Sequence, residues 1–191
     1  MTARAGFVWA TPQHFNRFIE ESGITCEHIT PHMLAAPFFQ ATLNCLIIPT
    51  GFANPAYSNL LPALRASSRR IARFVENGGN LLVFGAATEN PDAYDWLPFP
   101  VRYLHDFHPR AVSCSPDSDT RMLIEEYDAS CIECDGEFSP FDASCTGNAG
   151  GSAVILERKF GNGTMVITSI HEFPSRTFLQ AFCAQGRATR F

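Results

Sequence analysis

The stretch IARFVENGGNLLVFGAAT, residues 71–88, decides the fold. Ile71, Phe74 and Val75 continue an apolar stripe begun by Leu60 and Leu64, at spacings of three, four and seven. That is the period of a helix with one buried face. The pair Gly78-Gly79 stops the helix, because glycine accepts the left-handed conformation at a helix end. Asn80–Phe84 is then a short apolar run of the kind buried on both faces of a parallel sheet. It breaks at Gly85-Ala86-Ala87.

Working outward, the same alternation recurs. Ala5–Ala10, Thr25–His28 and Asn44–Pro49 read as strands. Thr11-Pro12 and Thr30-Pro31 read as helix starts, with threonine as N-cap and proline as first helical residue. Phe15, Phe18 and Ile19 supply the apolar face of the first helix. Met33, Leu34 and Phe38 do so for the second. Thr164–Ser169 is a further buried strand, and Ser175–Ala184 a last helix carrying Phe178, Leu179 and Phe182. Strands alternating with helices imply parallel pairing with right-handed crossovers. Residues 95–160 break the pattern. Val101–Leu104, Ala111–Cys114, Met122–Tyr127 and Ala153–Arg158 are strand-like pieces among turn residues, so an antiparallel elaboration is expected there. The expected architecture is one α/β domain over 1–191. It is a flavodoxin-like three-layer sandwich with a mainly parallel sheet, ordered 2-1-3-4 for the first four strands.

Composition narrows the function. The 191 residues carry 19 acidic and 14 basic side chains, a net charge of −5, which leaves no electrostatic footprint for nucleic acid. Arg65, Arg69, Arg70 and Arg73 recur at helical spacing and read as a solvated face. No apolar run approaches the roughly 20 residues that span a bilayer, so no membrane is expected. Seven cysteines, an odd number, in a chain this large fit free thiols and a cytoplasmic location. The 17 phenylalanines exceed what a core of this size obviously needs, and a homo-oligomer interface is one use for them.

Three segments, LIIPTGFANPAYSNLL (46–61), IARFVENGGNLLVFGAAT (71–88) and FGNGTMVITSIHEFPS (160–175), together resemble the class I glutamine amidotransferase-like superfamily. The biotin-ligase-N-terminal-like and trehalose-utilisation-like branches are the nearest in order and spacing. The resemblance implies an oxyanion-holding glycine loop after the third strand, where Gly51 stands. It implies a nucleophilic cysteine on the turn after the fourth, where Gly85-Ala86-Ala87 offers neither thiol nor hydroxyl. It implies a histidine followed two residues later by a glutamate. His171 matches the histidine, but Glu172 is adjacent to it and Phe173 takes the matching position. Glutaminase chemistry needs a thiolate beside a base, so that activity is expected to be lost.

What remains is a crevice at the strand ends. Its expected ligand-binding residues are Gly51, Asn54, Gly85, Ala86, Thr88 and His171, with His171 and Glu172 as catalytic candidates. Cys131-Ile-Glu-Cys134 is the sharpest local motif. Cys131, Cys134 and Cys145 are the metal candidates, set against the default of free thiols with no metal and no cofactor. Asp135-Gly136 reads as a turn, in preference to a binding carboxylate at the tip of a lid over the crevice. The reading is of a non-catalytic amidotransferase-like module that binds an unknown small molecule or a protein. The alternative is an enzyme of different chemistry, a hydrolase or a metal- or thiol-dependent enzyme. It would use His171 with Glu172, or the Cys131/Cys134 pair.

Overall fold

A computed structural model of the chain describes residues 2–171 and 173–191. The first half runs β1 (Arg4–Val8), α1 (His14–Glu21), β2 (Thr25–Ile29), α2 (Pro31–Ala35), β3 (Thr42–Leu43), β4 (Cys45–Ile48), α3 (Leu60–Glu76) and β5 (Asn80–Val83). The second half runs β6 (Val101–Arg110), β7 (Ser113–Cys114), β8 (Ile132–Phe141), β9 (Ser144–Ala149), β10 (Ser152–Phe160), β11 (Gly163–Thr168), α4 (Arg176–Gln185) and β12 (Thr189–Arg190).

The main sheet has ten strands, with the spine β2-β1-β4-β5-β11-β10-β8-β6. From β2 to β11 the strands are parallel, in the order expected for the first four. From β11 onward pairing is antiparallel, with β9 on β10 and β7 on β9. The central strands bury both faces, and alternation divides them between two cores. Leu46, Ile48, Leu81 and Val83 face α2 and α3, where they meet Leu34, Leu64, Ile71 and Phe74. Cys45, Ile47, Leu82 and Phe84 face α1 and α4, where they meet Ile19, Phe178 and Leu179. This gives the three layers. Ser175 caps α4 by accepting from the Phe178 N–H at 3.0 Å. Thr30 caps α2 through the Met33 N–H at 3.2 Å.

Several expectations are corrected. The first helix begins at His14 rather than at Thr11-Pro12. Asn16 Oδ1 accepts from the Gln13 N–H at 2.7 Å, which sets the start two residues later. Phe38 lies beyond α2 and is 89% exposed, because a residue before proline, here Ala36, leaves the helical region. Met122–Tyr127 is no strand. A 3-10 turn spans Asp119–Ile124, started by Ser118 accepting from the Thr120 N–H at 3.2 Å. Arg70 is not merely solvated. It donates to the carbonyls of Leu34, Ala36 and Phe39 at 3.1, 2.8 and 2.7 Å and lies over the Phe191 ring.

The largest correction is at Asp135-Gly136, which sits within β8 and not in a turn. Gly136 is there for close backbone approach: a Cβ on it would lie 2.2 Å from the Leu104 carbonyl oxygen on β6. β8 also forks. One edge pairs with β6 from Ile132 to Phe141, and the other edge divides, its later half touching β10 at Phe138. Its start also lies beside the segment after β11, where Cys134 bridges Ile170. Around that bridge the Asp135 N–H donates to Ser169 O at 2.6 Å and the His171 N–H to Glu133 O at 2.8 Å. No described helix is long and apolar enough to cross a membrane.

Candidate functional site

Parallel strands end on one side of the sheet, and the loops that leave them there enclose a cavity of about 490 Å³. β1 brings Phe7 and Trp9 to it, and the start of α1 brings Gln13, His14 and Phe15. Thr50, Gly51 and Tyr57 come from the loop after β4, and Phe84 and Ala87 from the turn after β5. His171 and Phe173 come from the segment after β11. Phe173 stacks on Phe15 with ring centroids 4.6 Å apart, which makes one wall a double aromatic layer.

The turn after β5 is the position where the resemblance places a nucleophile. Ala87 holds φ +48 there, a left-handed conformation that an L-residue adopts at a cost of about 1 kcal/mol or more. Neighbours impose it. Asn54 Nδ2 donates to the Ala87 carbonyl at 2.8 Å, the Gly51 N–H donates to the Gly85 carbonyl at 2.8 Å, and the Tyr94 hydroxyl donates to the Phe84 carbonyl at 2.9 Å. The sharp elbow is therefore built and braced, and the side chain it presents is a methyl group.

His171 stands across the cavity with its Nδ1 3.1 Å from Asp135 Oδ1. The Asp135 side chain is 2% exposed, and the Phe107 ring meets the imidazole edge to face at 5.4 Å. Thus β8, from the antiparallel half, delivers the carboxylate that fixes the imidazole of the parallel half. Asp135 Oδ2 has no hydrogen-bond partner among the described residues. It lies against Gly85, where an added Cβ would be 1.9 Å away. The Tyr103 hydroxyl donates to the Asp135 backbone carbonyl at 2.9 Å. Burial first, and the Asp135 charge second, push the Tyr103 phenol upward, so it stays a donor.

The expected site residues separate into two groups. Gly51 and His171 line the cavity. Asn54, Gly85, Ala86 and Thr88 stand behind it. Asn54 holds the elbow, Gly85 makes room for Asp135, Ala86 is fully buried, and Thr88 Oγ1 accepts from the Asn90 N–H at 3.4 Å. The Gly51 N–H is engaged by Gly85, so it is not directed at the cavity. Glu172 lies outside the described residues. Cys131 and Cys145 are exposed while Cys134 is buried, and among the described residues no three His, Cys, Asp or Glu side chains gather as a metal site. Burial pushes the thiols of Cys26, Cys45, Cys114 and Cys145 upward, Cys26 to about 11, which is the wrong direction for a nucleophile.

Sequence reasoning missed Trp9, His14 and Tyr57 at the cavity, and Asp135 as the partner of His171. Trp9 carried a usable signal, since it ends an apolar strand on the ligand side. Asp135 carried a weak one, a carboxylate in a segment able to fold over the crevice, outweighed by ordinary Asp-Gly turn chemistry because its place depends on the fork in β8.

No family model matches this sequence, and no curated protein does. Solved structures share the fold. A candidate GMP synthase protein from Thermoplasma acidophilum superposes with a TM-score of 0.65 at 14% identity, covering 96% of this chain and 95% of its own. A cytoplasmic protein from Salmonella typhimurium LT2 gives 0.60 at 13%, covering 95% and 96%. A cold-adapted β-galactosidase from Rahnella gives 0.57 at 12%, where the match takes in 96% of this chain but 30% of that one. These likenesses are of fold alone, and they are consistent with the glutamine amidotransferase-like fold expected from the sequence.

Proposed function

We propose that this chain is a non-catalytic amidotransferase-like module, acting in the cytoplasm, that binds a small molecule in the cavity between Trp9, Tyr57, Ala87 and His171. The observation that carries the reading is Ala87. The strained elbow survives with its bracing hydrogen bonds, yet its side chain has no atom that can attack a carbonyl. The surrounding rings and the fixed imidazole still form a concave, mostly apolar site with a few polar groups, the usual form of a ligand pocket.

The test is ammonia release from glutamine together with ligand binding, for the wild type and for His171→Ala, Cys131→Ser and Cys134→Ser. The reading expects no glutaminase activity in any of them, and binding that weakens only in His171→Ala. Ammonia release that stops on thiol alkylation would sink it. So would binding abolished by the cysteine changes and untouched by His171→Ala.

A second reading has one specific observation behind it. His171 Nδ1 paired to the buried Asp135 is the base-plus-orienter half of a hydrolytic site. Turnover of any bound compound that is lost in both His171→Ala and Asp135→Ala would favour it.

A further inference from the structure

The cavity walls hold enough chemistry to name the class of molecule they suit, an inference that rests on the binding role proposed above. The geometry points to a flat, uncharged nitrogen heterocycle of about nucleoside size as the ligand, sandwiched among Trp9, Tyr57 and the Phe15–Phe173 pair.

Four features select that class. First, the walls are rings. Tyr57 is 66% exposed and Phe173 38% exposed, both beside the cavity, so a stacked ligand covers apolar surface that water now meets. Trp9 Cη2 and Tyr57 Cδ2 would lie 3.8 and 3.2 Å from a Cβ placed on Gly51, so the two rings flank the Gly51 backbone with only glycine between them. Second, none of the described lining residues is Lys or Arg, so no permanently charged cation there pairs with a phosphate or a carboxylate. Third, none of the described lining residues is Asp or Glu, so no carboxylate among them pairs with an ammonium ligand. Fourth, apart from the Trp9 indole N–H and the Tyr57 hydroxyl, the polar lining side chains are few: Gln13, His14, Thr50 and His171. Gln13, Thr50 and the neutral histidines can both donate and accept, which suits the mixed edge of a heterocycle. A free sugar has no aromatic face to stack on these rings, so it would gain less from the walls than a heterocycle. A volume of about 490 Å³ lies within the usual range for small-molecule pockets.

The protein carries its own reporter. Of its two tryptophans, Trp9 lines the cavity and Trp96 is 2% exposed in the core. Intrinsic fluorescence is titrated with adenosine, inosine, uridine and nicotinamide, and in parallel with adenosine monophosphate, glucose and tetramethylammonium. At least one of the four neutral heterocycles is expected to quench saturably, and a monophosphate to bind at least tenfold more weakly than its nucleoside. Tyr57→Ala, on an exposed loop, should weaken binding about tenfold with the melting temperature unchanged, and Trp9→Phe should remove the signal while calorimetry still detects binding. The inference is overturned if no heterocycle saturates at millimolar concentration. It is equally overturned if glucose or tetramethylammonium binds more tightly, or if the monophosphate binds as well as its nucleoside. Should a heterocycle bind and also be turned over in a His171-dependent way, the ligand class stands and the non-catalytic reading falls.

Discussion

Asp135 occupies the space that a side chain on residue 85 would need: a Cβ built on Gly85 lies 1.9 Å from Asp135 Oδ2 and 2.7 Å from its Cβ and Cγ. The carboxylate is held between that glycine and His171. The glycine at the start of the elbow thus serves the residue opposite rather than its own backbone.

Gly85→Ala should therefore be costly in proportion to Asp135. Overpacking of about 1–3 kcal/mol or more is expected in chemical denaturation, seen as a lower midpoint with an unchanged slope. In the double variant Gly85→Ala/Asp135→Ala the cost should fall well below the sum of the two single changes. Additive effects would show that the contact is not what makes residue 85 a glycine.

The elbow stores backbone strain, and replacing Ala87 reads it out. Ala87→Gly should leave stability unchanged or raise it by up to about 1 kcal/mol, since glycine adopts φ +48 without penalty. Ala87→Val should lower it by about 1 kcal/mol or more. The reverse order in thermal melts would mean the turn is not strained.

On α3, Arg70 and Arg69 should behave differently although they are neighbours. Arg70→Ala removes three donor contacts and a ring contact and should cost about 1–3 kcal/mol. Lysine should restore only part of this, because it lacks the planar fork. Arg69 is exposed, and its alanine variant should stay within about 0.5 kcal/mol of wild type.

Alkaline pH should destabilise the fold through its thiols. Burial lifts Cys26 from near 9 to about 11 and pushes Cys45 upward as well. A raised value means the folded state prefers the neutral thiol. Its stability is intact below the unfolded value near 9 and is lost as pH rises through the window to about 11. The melting temperature should hold to about pH 9 and then fall, less steeply in Cys26→Ala. At neutral pH a thiol reagent should modify the exposed Cys131 before Cys26. A melting curve flat to pH 11 would contradict the burial argument.

The parallel half was legible in the sequence because buried strands are written as uninterrupted apolar runs, such as NLLVF before Gly85, bounded by helix stops and caps that act locally. The order of the first four strands came from reading that alternation as flavodoxin-like. β8 was not legible. Glu133, Cys134, Asp135 and Gly136 read as a turn, since a buried carboxylate is what local patterning argues against. Only the pairing with β6 and with the segment after β11 makes that stretch a strand. For the same reason Gly51 and His171 were found at the cavity, while the residue that orients His171 was not.

The fork in β8 has a consequence for motion. The amides of Asp135 and His171 are donors in the two hydrogen bonds that flank the Cys134–Ile170 bridge, and their side chains meet at 3.1 Å beside it. Any fluctuation that frees one amide releases the other and separates imidazole from carboxylate in the same event. In hydrogen exchange the two amides should share one protection factor, belonging to a single cooperative unit that joins the parallel and antiparallel halves. The site then has no private opening motion, and its lifetime is that of the joint between the two halves of the sheet.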